Sequence, residues 1–227
     1  MQQPILQSEQ PVTLLGGGAL YPGDLDLALS HAPTLAAADG GARAALRAGH
    51  MPVAVFGDFD SLDDRSRAAL PADRLHRITE QDSTDFDKAL RNIQAPVVVA
   101  AGFLGARMDH QLAALSTLLR HCDRRCVLIG EREVVFHAPP RIVVPVASGD
   151  VVSLFPLCPA TGRSTGLRWP IDGLELAPGG RIGTSNVATG PVGLDTDGPG
   201  LLVILPRVRL GDVIPALAAA PVHPARQ

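Results

Sequence analysis

The sequence predicts an α/β protein: an N-terminal doubly wound parallel-sheet domain followed by a smaller all-β sandwich domain. Three observations predict it. Over roughly the first 130 residues, short apolar runs alternate with segments of helical period. Acidic and glycine-rich clusters fall at the ends of those runs, where open parallel sheets bind their ligands. Beyond Pro140 helical periodicity fades, and β-like runs separated by Gly and Pro take over.

Each element has its own warrant. Val12 to Leu15 reads as a strand that stops at Gly16-Gly17-Gly18, and Asp24 to Ser30 reads as a short helix. Thr34 to Ala38 is a second strand, ending at Asp39-Gly40-Gly41. The helix from Ala42 to Ala48 stops at Gly49, and Val53 to Phe56 is a third strand, ending at Gly57-Asp58-Phe59-Asp60-Ser61. Asp64 to Leu70 is helical up to Pro71, and Arg74 to Ile78 is extended. Asp85 to Ile93 has helical spacing, with Phe86, Ala89, Leu90 and Ile93 on one side. Val97 to Ala101 and Cys126 to Ile129 are further strands. Between them Asp109 to His121 is an amphipathic helix, with Leu112, Leu115, Leu118 and Leu119 as the expected buried stripe. Arg141 to Val146, Val151 to Leu157 and Leu201 to Leu205 are β-like, and Leu210 to Ala220 is a short helix against which Pro215 argues. The expected organisation is a catalytic domain over 1–138, a β domain over 139–220 and a loose tail over 221–227.

Composition narrows the function. With 227 residues, 46% of them hydrophobic, the chain can bury a core. A net charge of −3 does not suit a protein held to nucleic acid by bulk electrostatics. No apolar run approaches a membrane span, and the N-terminal MQQPILQSEQ lacks the pattern of a signal peptide. Three cysteines without CxxC spacing argue against a disulfide framework or zinc site, so a cytoplasmic location is expected. Of 20 basic residues only Lys88 is lysine, and nine of the 18 Asp lie between Asp39 and Asp87, the stretch that contains it.

Four segments can carry chemistry. Asp58 and Asp60, two apart at a strand end, point the same way and repel unless a cation or proton lies between them. Mg²⁺ held by carboxylates and phosphate oxygens is the usual solution, with a solvated acidic turn as the alternative. In Gln81-Asp82-Ser83-Thr84-Asp85-Phe86-Asp87-Lys88, Ser83 or Thr84 caps a helix whose first turn is acidic. Asp85 is free to be a third metal ligand, and Lys88 can reach a phosphate or pair with the neighbouring acids. In Gly102 to His110, Arg107 can fork onto phosphate and Asp109 is the natural cap of the following helix. In the β domain Gly183-Thr184-Ser185-Asn186 can orient a polar heterocycle or form a simple turn, and Trp169 can stack on a ligand or belong to the core.

Taken in order, Asp39-Gly40-Gly41-Ala42, Gly57-Asp58-Phe59-Asp60-Ser61, Gln81-Asp82, Thr84-Asp85, Lys88, Gly105-Ala106-Arg107-Met108-Asp109-His110 and Ser185-Asn186 resemble the thiamine pyrophosphokinase family. The resemblance implies transfer of a diphosphate from ATP to thiamine with Mg²⁺, in a homodimer whose active sites lie at the interface. It implies that Asp58, Asp60 and Asp85 hold the metal and that Lys88 and Arg107 neutralise phosphate charge. It counts Asp39, Gly40, Gln81, Thr84 and Asp109 among the binding residues, with Asp39 or Asp109 either accepting the hydroxyl proton or merely orienting loops, and it places Ser185, Asn186 and Trp169 around thiamine. Ala106 stands where the family usually carries glycine, and the acidic residue often found after the Ser-Asn pair is missing. A pyrophosphokinase acting on a hydroxymethylpterin, and a non-catalytic thiamine- or nucleotide-binding module, are the alternatives.

Overall fold

The computed structural model describes residues 3–225, which fall into two compact units: 3–117 with 128–131, and 118–127 with 132–225. Both terminal pairs of residues lie outside the described part, including the start of the N-terminal segment and the end of the expected tail.

The first unit contains β1 (Leu6–Gln7), β2 (Val12–Leu15), α1 (Asp24–His31), β3 (Thr34–Ala38), α2 (Gly41–Arg47), β4 (Ala54–Gly57), α3 (Asp64–Ala69), β5 (Leu75–Arg77), α4 (Asp85–Arg91), β6 (Ile93–Gln94) and β7 (Val98–Ala101). Helix α5 (Met108–Arg120) follows, and then β8 (Cys126–Ile129), whose last two residues belong to this unit. Strands β3, β4 and β5 run parallel, β2 runs parallel to β7, and β2 lies beside β3. Strands β2, β3, β4 and β7 are almost wholly buried and mainly apolar, as in a parallel sheet covered on both faces, whereas β5 (Leu-His-Arg) is half-buried to exposed. Phe86, Ala89 and Leu90 are buried, so the apolar side of α4 read from spacing is the one that packs; the helix ends at Arg91, and the equally buried Ile93 belongs to β6.

The stripe expected on α5 requires correction. Leu112 is 59% exposed, and the buried face runs through Ala114, Thr117 and Leu118. Leu112 lies well round the helix from that line, on the side of the exposed Met108 one turn before it.

The second unit is mainly β: β9 (Glu133–His137), β10 (Arg141–Val144), β11 (Val151–Pro156), β12 (Gly162–Leu167), β13 (Gly183–Thr196) and β14 (Leu201–Pro206), closed by α6 (Leu210–Ala219). All pairings among these strands are antiparallel. Strand β13 serves two layers. Its first half pairs with β11, which continues through β14 to β9, and its second half lies between β10 and β12.

Glycine and proline are expected to separate the β-like runs, yet β13 passes through Gly190-Pro191. Opposite lies an irregularity at Gly166, φ +71°, where a Cβ would sit 2.0 Å from the Pro191 carbonyl oxygen. A proline without an N–H is tolerated in a strand at such a bulge. Helix α6 likewise runs through Pro215, forfeiting one helical hydrogen bond. Within 221–225, His223 is buried against His137, and its Nε2 lies 3.1 Å from the Ala138 carbonyl. Among the described residues no helix is long and apolar enough to cross a membrane.

Candidate active site

Neighbouring strands β3 and β4 bring the first carboxylates together. Ala38 lies opposite Phe56, and the Asp39 N–H donates to the Phe56 carbonyl at 2.8 Å. The chain therefore leaves the sheet at Asp39 and at Gly57-Asp58 side by side. Gly57 makes room for this: at φ +149° its Cβ would stand 3.0 Å from Asp39 Cβ and 3.3 Å from Asp85 Oδ1. Asp85 opens α4, which Thr84 caps by accepting from the Asp87 N–H at 3.2 Å.

One carboxylate oxygen from each of Asp39, Asp58 and Asp60 lies within 4.8 Å of the other two. Asp39 is buried, and its Oδ2 accepts the Ser61 N–H at 3.2 Å. Its Oδ1 is buried with no hydrogen-bond partner. Burial pushes the Asp39 carboxyl above its ordinary pKa, and the charges of Asp85 and Asp60 push it further, against the Ser61 hydrogen bonds. Asp58 is held below the ordinary range, first by the Asp60 N–H at 3.2 Å, then by the Gln81 amide at 3.3 Å and by Lys88.

Lys88 is 2% exposed, with its ammonium 3.3 Å from Asp85 Oδ1 and 3.8 Å from Asp58 Oδ2. It is thus a buried charge tied to two acids. Burial raises the Asp85 carboxyl, with Lys88 pulling it the other way.

A cavity of about 370 Å³ adjoins this cluster, lined among others by Gly17, Asp39, Gly40, Thr84, Asp85 and Arg107. Arg43, Phe103 and His110 also line it. Arg43 and Phe103 were missed in the sequence. The signal for Arg43 was its place in the first turn of α2, directly after Asp39-Gly40, where it lines the same cavity.

Gln81 is engaged with Asp58. Arg107 is exposed and folded onto Asp109, with its Nε donating to Asp109 Oδ1 at 3.1 Å. Asp109 lies inside the first turn of α5, whose helix begins at Met108.

Ser185, Asn186 and Trp169 come together in the second unit, around a separate cavity of about 340 Å³ with Ile171, Leu174, Leu176 and Ile182 on its apolar walls. Trp169 is 56% exposed, with the Arg168 guanidinium 5.4 Å from its ring centroid. Ser185 is exposed and adopts φ +60°. Asn186 is buried, and its amide is committed to the Trp169 backbone.

Backbone strain marks the same places. Among the described residues the non-glycine residues with positive φ are Asp39, Phe59, Ala106 and Ser185. Each is a candidate site residue or stands beside one. Such strain gathers where the surrounding structure holds a functional geometry in place.

Fold and site define a two-part protein: an α/β unit with three clustered carboxylates and a cavity at the ends of its parallel strands, and a β unit with its own cavity. Comparison gives the particular family. Residues 25–129 match the family model "Thiamin pyrophosphokinase, catalytic domain", and residues 140–200 match "Thiamin pyrophosphokinase, vitamin B1 binding domain". The chain belongs to the thiamin pyrophosphokinase family.

The chain is 28% identical over 165 residues to Thiamine pyrophosphokinase 1 of Arabidopsis thaliana, an alignment covering 63% of this chain and 61% of that protein. It is 36% identical over 89 residues to the Thiamine pyrophosphokinase of Bacillus subtilis, covering 36% and 41% respectively. The solved Thiamin pyrophosphokinase of Geobacillus thermodenitrificans superposes with a TM-score of 0.70 at 25% identity, over 86% of this chain and 96% of that one.

Proposed function

We propose that the protein is a thiamine diphosphokinase that moves the β,γ-diphosphate of ATP onto the hydroxyl of thiamine. The hydroxyl oxygen attacks Pβ, the bond between Pβ and the α,β-bridging oxygen breaks, AMP leaves with that oxygen, and the hydroxyl proton is released. The observation that carries this reading is the convergence of Asp39, Asp58 and Asp60, with one buried oxygen of Asp39 left without a partner.

These residues fit a Mg²⁺ ion. Hard carboxylate oxygens are its preferred ligands, and the orphaned Asp39 oxygen lacks the hydrogen bond that buried polar atoms normally have. Asp39, Asp58 and Asp60 would hold the ion; this differs from the expected set of Asp58, Asp60 and Asp85, because Asp39 joins the group within 4.8 Å while Asp85 Oδ1 is paired with Lys88 at 3.3 Å. When bound, it supplies charge neutralisation to the triphosphate. Phosphoryl transfer makes little demand on a protein nucleophile and depends on positioning and electrostatics.

The chain's own residues supply those. Lys88, fixed between Asp58 and Asp85, presents an ammonium that has no freedom to wander. Arg107 gives up only an exposed ion pair when it turns from Asp109 to a phosphate, a small loss. Gly17 and Gly40, without side chains, let phosphate oxygens approach the backbone of the cavity wall. In the second unit Trp169 and Ser185 take the thiamine head, whose cationic thiazolium favours an aromatic face. A homodimer and a cytoplasmic location complete the reading.

The test is AMP formation from ATP, thiamine and MgCl₂, with a hydroxymethylpterin offered in parallel. Thiamine-dependent AMP production, lost by at least about a hundredfold in Asp60→Asn, is expected. Undiminished turnover in Asp60→Asn, or consumption of the pterin alone, would overturn the assignment.

A further inference from the structure

Asn186 sits one residue after the left-handed Ser185, where β13 pairs with β11 at Val152. On its other side β12 has ended: Leu167 is its last residue and lies opposite Ala188. The Arg168 N–H still reaches the Val187 carbonyl at 2.8 Å, but the next residue, Trp169, finds no backbone partner in the ladder. The Asn186 side chain takes that place. Its Oδ1 accepts the Trp169 N–H at 3.1 Å and its Nδ2 donates to the Trp169 carbonyl at 2.6 Å. The same Oδ1 also accepts the Val187 N–H at 2.9 Å. An amide has the donor and acceptor of a peptide group, so it satisfies both backbone groups of one residue at once.

Two features make this more than a local turn. Asn186 is 6% exposed while Trp169 is 56% exposed, so a buried anchor holds an exposed ring. Pro170 follows, and its ring Cδ disfavours the helical conformation for Trp169, which leaves that backbone little freedom once its N–H and C=O are tied.

We propose that Asn186 is a positioning residue: its side-chain amide acts as a surrogate peptide that extends the β12–β13 ladder by one residue and so sets the Trp169 indole at the mouth of the second-unit cavity. What Trp169 is positioned for rests on the reading of that cavity as the thiamine pocket. Asn186 acts through Trp169, and Ser185, whose side chain is exposed beside it, is the direct polar contact.

Trp169 is the only tryptophan, so the full-length protein carries its own reporter. Time-resolved fluorescence anisotropy and acrylamide quenching are to be measured for the wild type, Asn186→Ala, Asn186→Asp and Ser185→Ala. Circular dichroism and a denaturant midpoint check that each is folded, and thiamine KM and kcat are measured with ATP and MgCl₂. Asn186→Ala removes both bonds. Asn186→Asp keeps the acceptor and sets an oxygen against the Trp169 carbonyl.

Both Asn186 variants are expected to loosen the indole, roughly doubling the quenching constant, and to raise thiamine KM about tenfold with kcat within about twofold. Ser185→Ala is expected to raise KM with the anisotropy unchanged. In the wild type the Trp169 amide is expected to exchange slowly with deuterium despite the exposure of its ring. This needs no variant.

A fast-exchanging Trp169 amide, or a raised KM in folded Asn186 variants whose indole is no more mobile, would overturn the proposal. Loosening of the indole with no change in thiamine KM, in Ser185→Ala as in Asn186→Ala, would leave the clamp standing and sink the pocket assignment instead.

Discussion

Replacing Asp39 by Asn is expected to stabilise the magnesium-free protein and to abolish its response to magnesium. Three carboxylate oxygens lie within 4.8 Å of one another, and Asp39 is the buried one. At 4.8 Å a pair of like charges repels by about 3 kcal/mol at an effective dielectric of 20, and by about 1 kcal/mol at that of water. Asp60 is exposed and Lys88 offsets Asp58, so the lower half of that range applies. Asparagine keeps an acceptor for the Ser61 N–H and offers the neighbouring carboxylates a donor. A net gain of about 1–2 kcal/mol at neutral pH corresponds to a Tm higher by about 2–8 °C for a chain of this size.

The sign with pH follows from the raised carboxyl. A native state that holds a proton more tightly than the unfolded chain loses stability as pH rises through the interval above the ordinary value of 3.8. The advantage of Asp39→Asn should therefore vanish below that interval and be complete above it. Thermal melts with EDTA or MgCl₂, over a pH series, are the assay. The wild type should rise in Tm with magnesium by mass action, and the variant should not. A variant less stable than the wild type in EDTA at neutral pH, or one that magnesium stabilises equally, would refute the reasoning.

The other expectations follow from the same geometry. Lys88→Met should leave Asp58 and Asp85 facing each other without their cation, lowering stability by about 1–3 kcal/mol in urea unfolding and kcat by about a hundredfold or more. Arg107→Ala should lower kcat in a steady-state assay while moving Tm by less than a degree or so, because its present partner is an exposed Asp109. Ala106→Gly should stabilise by up to about 1 kcal/mol in urea unfolding, since φ is +56° there and relief of left-handed strain outweighs the entropy glycine adds to the unfolded chain.

Much of this was legible in the sequence because it depends on short-range periodicity. Parallel strands covered on both faces read as apolar runs, so the fold of the first unit could be read directly. Asp58 and Asp60 do come together, but not by strand alternation: β4 ends at Gly57, and a left-handed Phe59 (φ +68°) turns the chain so that the Asp60 N–H donates to Asp58 Oδ1. The single lysine among arginines pointed to a position where a point charge is buried. The grouping of Asp39 with Asp58 and Asp60 could not be read, because it depends on the register of β3 against β4 and on the missing side chain of Gly57. The buried face of α5 was misplaced because leucine content marks a helix as amphipathic without saying which neighbours it meets. The course of β13 through Gly190-Pro191 was hidden because the bulge that accepts the proline lies in another strand, at Gly166. The use of Asn186 was equally hidden: a buried amide looks the same in sequence whether it faces a ligand or another loop.

Strain and charge at the site have one physical origin. Left-handed non-glycine residues cost about 1–2 kcal/mol each, a large share of the net stability of any domain. At two of the four positions the backbone is held by a hydrogen bond from that residue itself: Asp39 N–H to the Phe56 carbonyl at 2.8 Å, and Ser185 N–H to Ser153 Oγ at 3.0 Å. At a third, Phe59 is anchored by its ring, 7% exposed in the cluster with Val55, Leu62 and Leu70. Each anchor lies beside the strained residue and outside the acids it displays, so the cluster can be forced together without its own charges supplying the attraction. An unpaired oxygen on Asp39 and a lysine sunk between two acids are what such an assembly leaves before its ligand arrives. On the proposed reading, a cation and phosphates would restore the balance. Binding of nucleotide with magnesium should consequently tighten the loops at Asp39, Phe59 and Ala106 together, as slower hydrogen exchange at all three. Protection confined to one loop would mean that the strained positions are independent accidents of the backbone.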